Sequence, residues 1–312
     1  MIGKFGLAFG IAMNAAVLAL VDKHTYGFEL RGNLWQPGKQ ILHGNSPYDP
    51  EYPKRALAEG LHCCVQALYP APTHVVFAPL AWLPFQVAMI LFTIVAAAGL
   101  VGGLWLLGMR SAAAFGLVLM FPPVWSGFAA GGVMPFLVLG CALCWRWRDR
   151  AVVGGIAVAA TAVLKVFLWP LRLWLILTRR YRAAAVSAVT AVILLAAGWA
   201  VFGFENLRDY PQLLTNAAKL EQDHGLSLVR IGGEWLALAV FACLLVLGRR
   251  SFPVMVIAAL ALTPIVWLQT LEILLVPIVL AFAQREAYAD VRRLPRIRIS
   301  STGIHRARAA ER

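Results

Sequence analysis

The chain has 312 residues, 61% of them hydrophobic and only 14% charged, with a formal net charge of +13. Soluble domains run at roughly 45–50% apolar and about 25% charged, so a water-soluble globule, a coiled coil, a disordered chain and a disulfide-stapled mini-protein are excluded. The chain reads as an integral membrane protein, in which the loops must carry the function.

Apolar runs fall at 5–21, 75–108, 112–128, 133–147, 151–165, 166–178, 183–203, 232–248, 252–267 and 270–284. The first reads as an uncleaved helix, because no small-x-small cleavage site precedes Asp22. Several runs are shorter than the ~20 residues of a full span. Short or proline-broken helices are tolerable at membrane depth only against protein or around a cavity. The pattern therefore predicts an all-α polytopic bundle of about ten transmembrane helices around an embedded pocket.

Loop charge gives the topology. Lys4, Arg110, the runs 146–150 and 179–182, the pair Arg249-Arg250 and the tail 285–312 are assigned to the cytoplasm by the positive-inside rule. This works only if 151–178 forms two short helices with a turn near Lys165 and Trp169-Pro170. Both ends of the chain are then inside. Eighteen of the 28 Lys and Arg fall on that side, and nine of the 15 acids on two outer loops, 22–73 and 204–231. A nucleic-acid patch would not sort by loop parity, so no nucleic-acid partner is expected.

Each outer loop carries an apolar stripe at helical spacing. In the first it is Leu57, Leu61, Cys64, Val65 and Leu68; in the second, Leu207, Tyr210, Leu213, Leu214 and Ala217. These predict amphipathic helices in the headgroup layer. Residues 1–284 read as one transmembrane catalytic domain, and 285–312 as a basic, disordered tail held near anionic lipid. The five cysteines give no even framework. Cys141 and Cys144 lie in an apolar run with no acid or His beside them, so no metal site is expected.

Glu29 and the two cations inside apolar runs, Lys165 and Arg172, have the most to explain. Glu29 sits among aromatic and apolar neighbours just after the first helix. That is the setting of a tuned base, the alternative being a solvated acid paired with Arg31. Asp22, beside Lys23 and His24, is its rival. An unpaired cation at the membrane centre costs ~2.5–3.5 kcal/mol or more, so Lys165 and Arg172 call for a partner anion or a path to the interface. A lipid phosphate would satisfy both. Glu272, an intramembrane acid after Trp267-Leu268-Gln269-Thr270, pairs with a cation or lines the pocket. Asp49, Tyr48, His74 and Gln269 complete the candidate pocket.

No GxxxxGK[ST], GxGxxG, HExxH or GxSxG occurs. The ordered stretches Phe28-Glu29-Leu30-Arg31-Gly32-Asn33-Leu34-Trp35, Ile41–Pro50, Tyr69-Pro70-Ala71-Pro72 and Pro79–Pro84 resemble the amino-terminal half of glycosyltransferase family 87, of the GT-C type. Leu164–Pro170, Asn206–Pro211 with Leu226-Ser227-Leu228, and Leu262–Trp267 resemble later motifs, so that the likeness runs from about 26 to 282. It implies a GT-C-like fold and a polyprenyl-phosphate-sugar donor carrying mannose or arabinofuranose. It also implies a lipid or cell-envelope glycan acceptor, at the outer face of a bacterial plasma membrane, with no cofactor. Glu29 aligns with the family's outer-loop acid and Lys165 with its helix lysine. The chain departs from the family in having Glu29 for a more usual Asp, Gly131-Gly132-Val133-Met134 for a Gln-Asn pair, and Gln269-Thr270 for His-Tyr.

The expected chemistry is an inverting single displacement. Glu29 accepts the acceptor's proton, and Lys165 with Arg172 meets the leaving phosphate. A lipid-sugar flippase or transporter, and a non-catalytic envelope-assembly subunit, are the competing readings.

Overall fold

The structure is a computed structural model that describes residues 8, 10–12, 26–58, 67–221 and 226–283. Asp22, most of the first apolar run, residues 59–66 of the first amphipathic stripe and the basic tail lie outside the described residues.

Every regular element among the described residues is helical, and the chain is an all-α polytopic membrane protein. Helix α1 (Phe28–Leu30) passes through a π-helical stretch (Arg31–Trp35) into α2 (Gln36–Leu42). Next come α3 (Tyr52–Ala58), α4 (Ala71–Phe77) with a 3-10 turn (Ala78–Trp82), and α5 (Phe85–Leu106). Then follow α6 (Ala112–Leu119), α7 (Pro122–Ala130), α8 (Met134–Arg146) and α9 (Ala151–Leu164). A 3-10 turn (Val166–Leu168) leads to α10 (Pro170–Leu177) and α11 (Tyr181–Phe202). A 3-10 turn (Phe204–Arg208) opens α12 (Asp209–Glu221), before α13 (Leu228–Gly248) and α14 (Phe252–Ala261). The last is α15 (Leu268–Ala283), whose first turns are 3-10.

Among the described residues, α5, α11 and α13 are long and apolar enough to cross a membrane alone, and α6 with α7, bent by 64° at their break, passes the same test as a pair. The breaks have local causes. Proline lacks the N–H that continues a helix and clashes with the preceding turn; Pro122-Pro123 stops α6 and opens α7. Lys165 is extended (φ −149°, ψ 115°), and Pro170 occupies the first position of α10, where its fixed φ suits a helix start. The predicted pair of short helices in 151–178 is thus present. Pro264 interrupts 252–284 in the same way, leaving a non-helical segment between α14 and α15.

Helices joined by tight turns pack side by side: α8 on α9, α10 on α11 and α13 on α14. Further contacts join α5 to α8, α9 to α11 and α7 to α15. Their shared core holds Met134, Leu137, Val138, Leu171, Trp174 and Phe252. The turns at one end are basic. Two of them are joined by Arg180, which donates to Asp149 at 2.8 Å. The other end gathers the remaining turns. There Gly27 N–H donates to the Ala129 carbonyl (2.7 Å) and Leu226 N–H to that of Val266 (2.7 Å). The functional candidates cluster at this second end.

Candidate active site

Glu29 lies in α1, not in a free loop, and is 6% exposed. The helical stretch that carries it is tied to the segment before α4. Asn33 Oδ1 accepts from Leu68 N–H at 2.9 Å, and Ala67 N–H donates to the Gly32 carbonyl at 3.3 Å. That register brings the Tyr69 hydroxyl onto Glu29 Oε1, to which it donates. Burial, with Glu29 alongside, pushes the Tyr69 hydroxyl well above its ordinary pKa, so it keeps its proton and remains a donor.

Two more groups reach the same carboxylate. Lys165 Nζ stands 3.6 Å from Oε1, and Gln269 Nε2 donates to Oε2 at 3.3 Å. Lys165 also lies 5.4 Å from the Tyr69 ring centre, within cation–π range. Gln269 is held in turn by Ser126, whose hydroxyl donates to its Oε1 at 3.5 Å. The α7–α8 turn forms one wall. Gly131 closes α7 in the left-handed region (φ 71°), which glycine adopts without a Cβ penalty. A Cβ on Gly132 would fall 2.7 Å from Glu29 Oε2, so the carboxylate rests directly on backbone. An acid held by a cation, a phenol and an amide is fixed in place with both oxygens satisfied.

The helix end that presents Lys165 is fixed from α4. The Thr73 hydroxyl donates to the Leu164 carbonyl at 3.0 Å, filling one of the acceptors a helix terminus leaves open. Behind Tyr69 stands an aromatic layer that joins the two long polar loops. The Tyr48 hydroxyl donates to the Tyr69 carbonyl at 3.1 Å, and its ring lies 5.5 Å from His74, 5.0 Å from Trp199 and 5.1 Å from Tyr210. Tyr210 donates to the Leu68 carbonyl at 3.1 Å. Burial, with Tyr210 beside it, raises the Tyr48 hydroxyl pKa, so this donor too stays neutral. An apolar groove of about 340 Å³ opens beside the site, lined by Pro72, Thr73, Phe136, Leu139 and Leu164 among others. Leu164, the residue before Lys165, is part of the lining.

The model of glycosyltransferase family 87 matches residues 67–283, which is more than half of the chain. The chain belongs to glycosyltransferase family 87. It is therefore a membrane glycosyltransferase. No curated protein and no solved structure matches it. The family match holds Tyr69, Lys165, Gln269 and Glu272 but begins after Glu29, whereas the likeness read from the sequence motifs begins near 26.

Of the remaining candidates of this family 87 enzyme, His74 and Glu272 stay beside the site, whereas Arg172 and Asp49 do not touch the Glu29 carboxylate. Arg172 Nε donates to Ser187 at 3.4 Å, joining α10 to α11 rather than reaching Glu29. Asp49 is at the surface, paired with Arg55, and its Oδ1 accepts from Glu51 N–H at 3.0 Å; it shapes the start of α3. His74 is fully buried between the Tyr48 and Tyr69 rings, and among the described residues neither ring nitrogen has a hydrogen-bond partner. Glu272 is fully buried, and among the described residues neither of its oxygens has a hydrogen-bond partner; of its two anticipated roles, pairing with a cation is not seen among those residues, and its carboxylate lies against Gly127 of α7, beside Gln269. Arg31, the alternative partner of Glu29, stacks on the Phe85 ring at 4.2 Å instead. Cys144 Sγ lies 3.7 Å from the Thr161 hydroxyl, and no group of three metal-ligating side chains occurs among the described residues. Tyr69 was legible only as part of a rigid re-entry motif. Its contact with Glu29 depends on pairing between residues 32–33 and 67–68, which no local pattern announces.

Proposed function

We propose that this glycosyltransferase moves a sugar, mannose or arabinofuranose, from a polyprenyl-phosphate donor to a lipid or cell-envelope glycan acceptor. The reaction takes place at the outer face of a bacterial plasma membrane, with inversion at the anomeric carbon. The observation that carries the reading is the pair of buried Glu29 and half-buried Lys165, 3.6 Å apart, at the end of the bundle opposite the basic turns. The positive-inside rule then puts the pair on the outside, where lipid-linked sugars rather than nucleotide sugars are the available donors.

Glu29 accepts the proton of the acceptor hydroxyl as that oxygen bonds the anomeric carbon. The bond from this carbon to the phosphate oxygen breaks, and polyprenyl phosphate leaves with the electron pair. Lys165 meets the leaving phosphate's charge. Tyr69 and Gln269 hold the carboxylate for attack from one side, which is the geometry a single displacement needs. The apolar groove lined by Leu164, the residue before Lys165, suits the lipid part of the donor. Arg172, bonded to Ser187, is left out of this scheme. The single transmembrane domain 1–284, its ten passes, and the cytoplasmic placing of both ends belong to the same proposal.

The test is transfer by protein reconstituted in vesicles supplied with polyprenyl-phosphate-mannose or its arabinofuranose equivalent and a labelled acceptor. Replacing Glu29 with Gln should reduce transfer by about 10²–10⁴-fold, the usual range for a general base, with insertion intact. Full activity in that variant removes Glu29 as base. A wild-type protein that consumes neither donor overturns the donor class. Movement of the lipid-sugar across the vesicle without transfer favours a transporter.

A further inference from the structure

At the basic end of the bundle, away from the proposed catalytic pair, the turns between α8 and α9 and between α10 and α11 form an open surface pocket of about 440 Å³. It is lined by Arg148, Asp149, Arg179, Arg180, Tyr181 and Arg182, with Ala151 and Ala183. Four guanidinium groups face one carboxylate there. Asp149 Oδ1 accepts from Arg180 at 2.8 Å and Oδ2 lies 3.6 Å from Arg148, so the acid is already engaged and the pocket keeps an excess of positive charge.

Two of the arginines are held in place. Arg148 stacks on Trp145 at 4.0 Å and donates to its carbonyl at 2.8 Å; Arg180 stacks on Trp174 at 5.1 Å. A third is held at a cost. Arg179 has φ 59°, in the left-handed region that glycine favours. Its own N–H donates to the Ile176 carbonyl (2.9 Å) and that of Arg180 to Leu175 (2.8 Å). This is the helix-closing pattern in which that position is usually glycine. Strained positions of this kind gather at ligand clamps. Beside them α11 begins at Tyr181, and its start has no side-chain cap, so its dipole adds to the positive potential.

We infer that this pocket binds the phosphate headgroup of an anionic phospholipid of the adjoining leaflet. The pocket lies where apolar helices meet the basic turns, so a headgroup can enter it while its acyl chains stay against α9 and α11. Arginine forks match phosphate oxygens bidentately. The site is separate from sugar transfer and holds whether or not the proposed reaction is right.

The test is native mass spectrometry of the full chain in detergent with phosphatidylglycerol or phosphatidylcholine added, and inorganic phosphate as competitor. Phosphatidylglycerol should be retained and phosphatidylcholine lost. Arg179→Gly should weaken retention about fivefold, the share of one basic residue near a charged surface, while its thermal midpoint stays level or rises as the backbone relaxes. The combined R148Q/R179Q/R182Q variant should abolish retention. Equal retention of both lipids, unchanged retention in the triple variant, or full displacement by millimolar inorganic phosphate would each overturn the inference. The last would mark a site for soluble phosphate.

Discussion

Lys165 Nζ stands 3.6 Å from Glu29 Oε1, although the lysine comes from a break between two short helices and the acid from the first long polar loop. Glu29 is almost fully buried, while the Lys165 side chain keeps 25% of its surface exposed. The pair is therefore closed on the acid's side and open on the cation's, the order required if a phosphate is to approach the lysine.

Replacing Lys165 with Met leaves a buried carboxylate without its cation. Removing one partner of such a pair costs ~3 kcal/mol or somewhat more, so the midpoint of thermal unfolding should fall. Adding Glu29→Gln to that variant should restore most of the loss, because no charge is then stranded. A double-mutant cycle read by thermal unfolding in detergent checks this; additive losses would show that the two side chains do not interact.

Glu29→Asp keeps the acid but withdraws the carboxylate by one methylene. Tyr69 and Gln269 grip the oxygens where they now stand. Misplacement by about 1 Å can cost on the order of 10²-fold in rate, so kcat should drop strongly with little change in donor KM. Steady-state kinetics on the two variables decides it.

Gly132→Ala places a methyl group 2.7 Å from Glu29 Oε2. The backbone wall cannot yield as a flexible side chain would, so the carboxylate must move. Overpacking of this kind costs ~1–3 kcal/mol, and transfer should fall by more than the stability change explains. Activity measured at matched folded protein separates the two effects.

At the basic end, the Arg180 hydrogen bond holds the Asp149 carboxyl below its ordinary pKa. A depressed folded pKa means that the contribution is present above the unfolded carboxylate range and is lost as pH falls through the folded value. Asp149→Asn should therefore lower the unfolding midpoint slightly at pH 7 and not at all in strong acid. High salt should shrink the pH 7 difference too, since the pair is largely exposed. Thermal melts across pH and salt test it.

How far the site could be read from residues alone differs from group to group. Glu29 and Lys165 stood out because a charge among apolar neighbours is costly and has to be answered. The break at Lys165 followed from charge parity, since the basic runs on either side must share a face. The helix around Glu29 did not stand out. Gly32, Pro37 and Gly38 interrupt any apolar period there, and the segment is helical because tertiary ties hold it, among them Gly27 N–H to the Ala129 carbonyl at 2.7 Å. For Arg172 the residues alone named only the need for a partner at membrane depth, and the structure supplies a neutral one, the hydroxyl of Ser187. The bend between α6 and α7 was hidden inside one apolar run, where hydropathy outweighed the Pro122-Pro123 signal.

The carboxylate, phenol, ammonium and amide of the site come from four stretches of chain, and the last to be synthesised is Gln269 on α15. The centre is thus incomplete through most of translation and membrane insertion. A product stopped before Leu268 would be a membrane passenger without a complete site, unable to spend sugar donor wastefully while it waits for degradation.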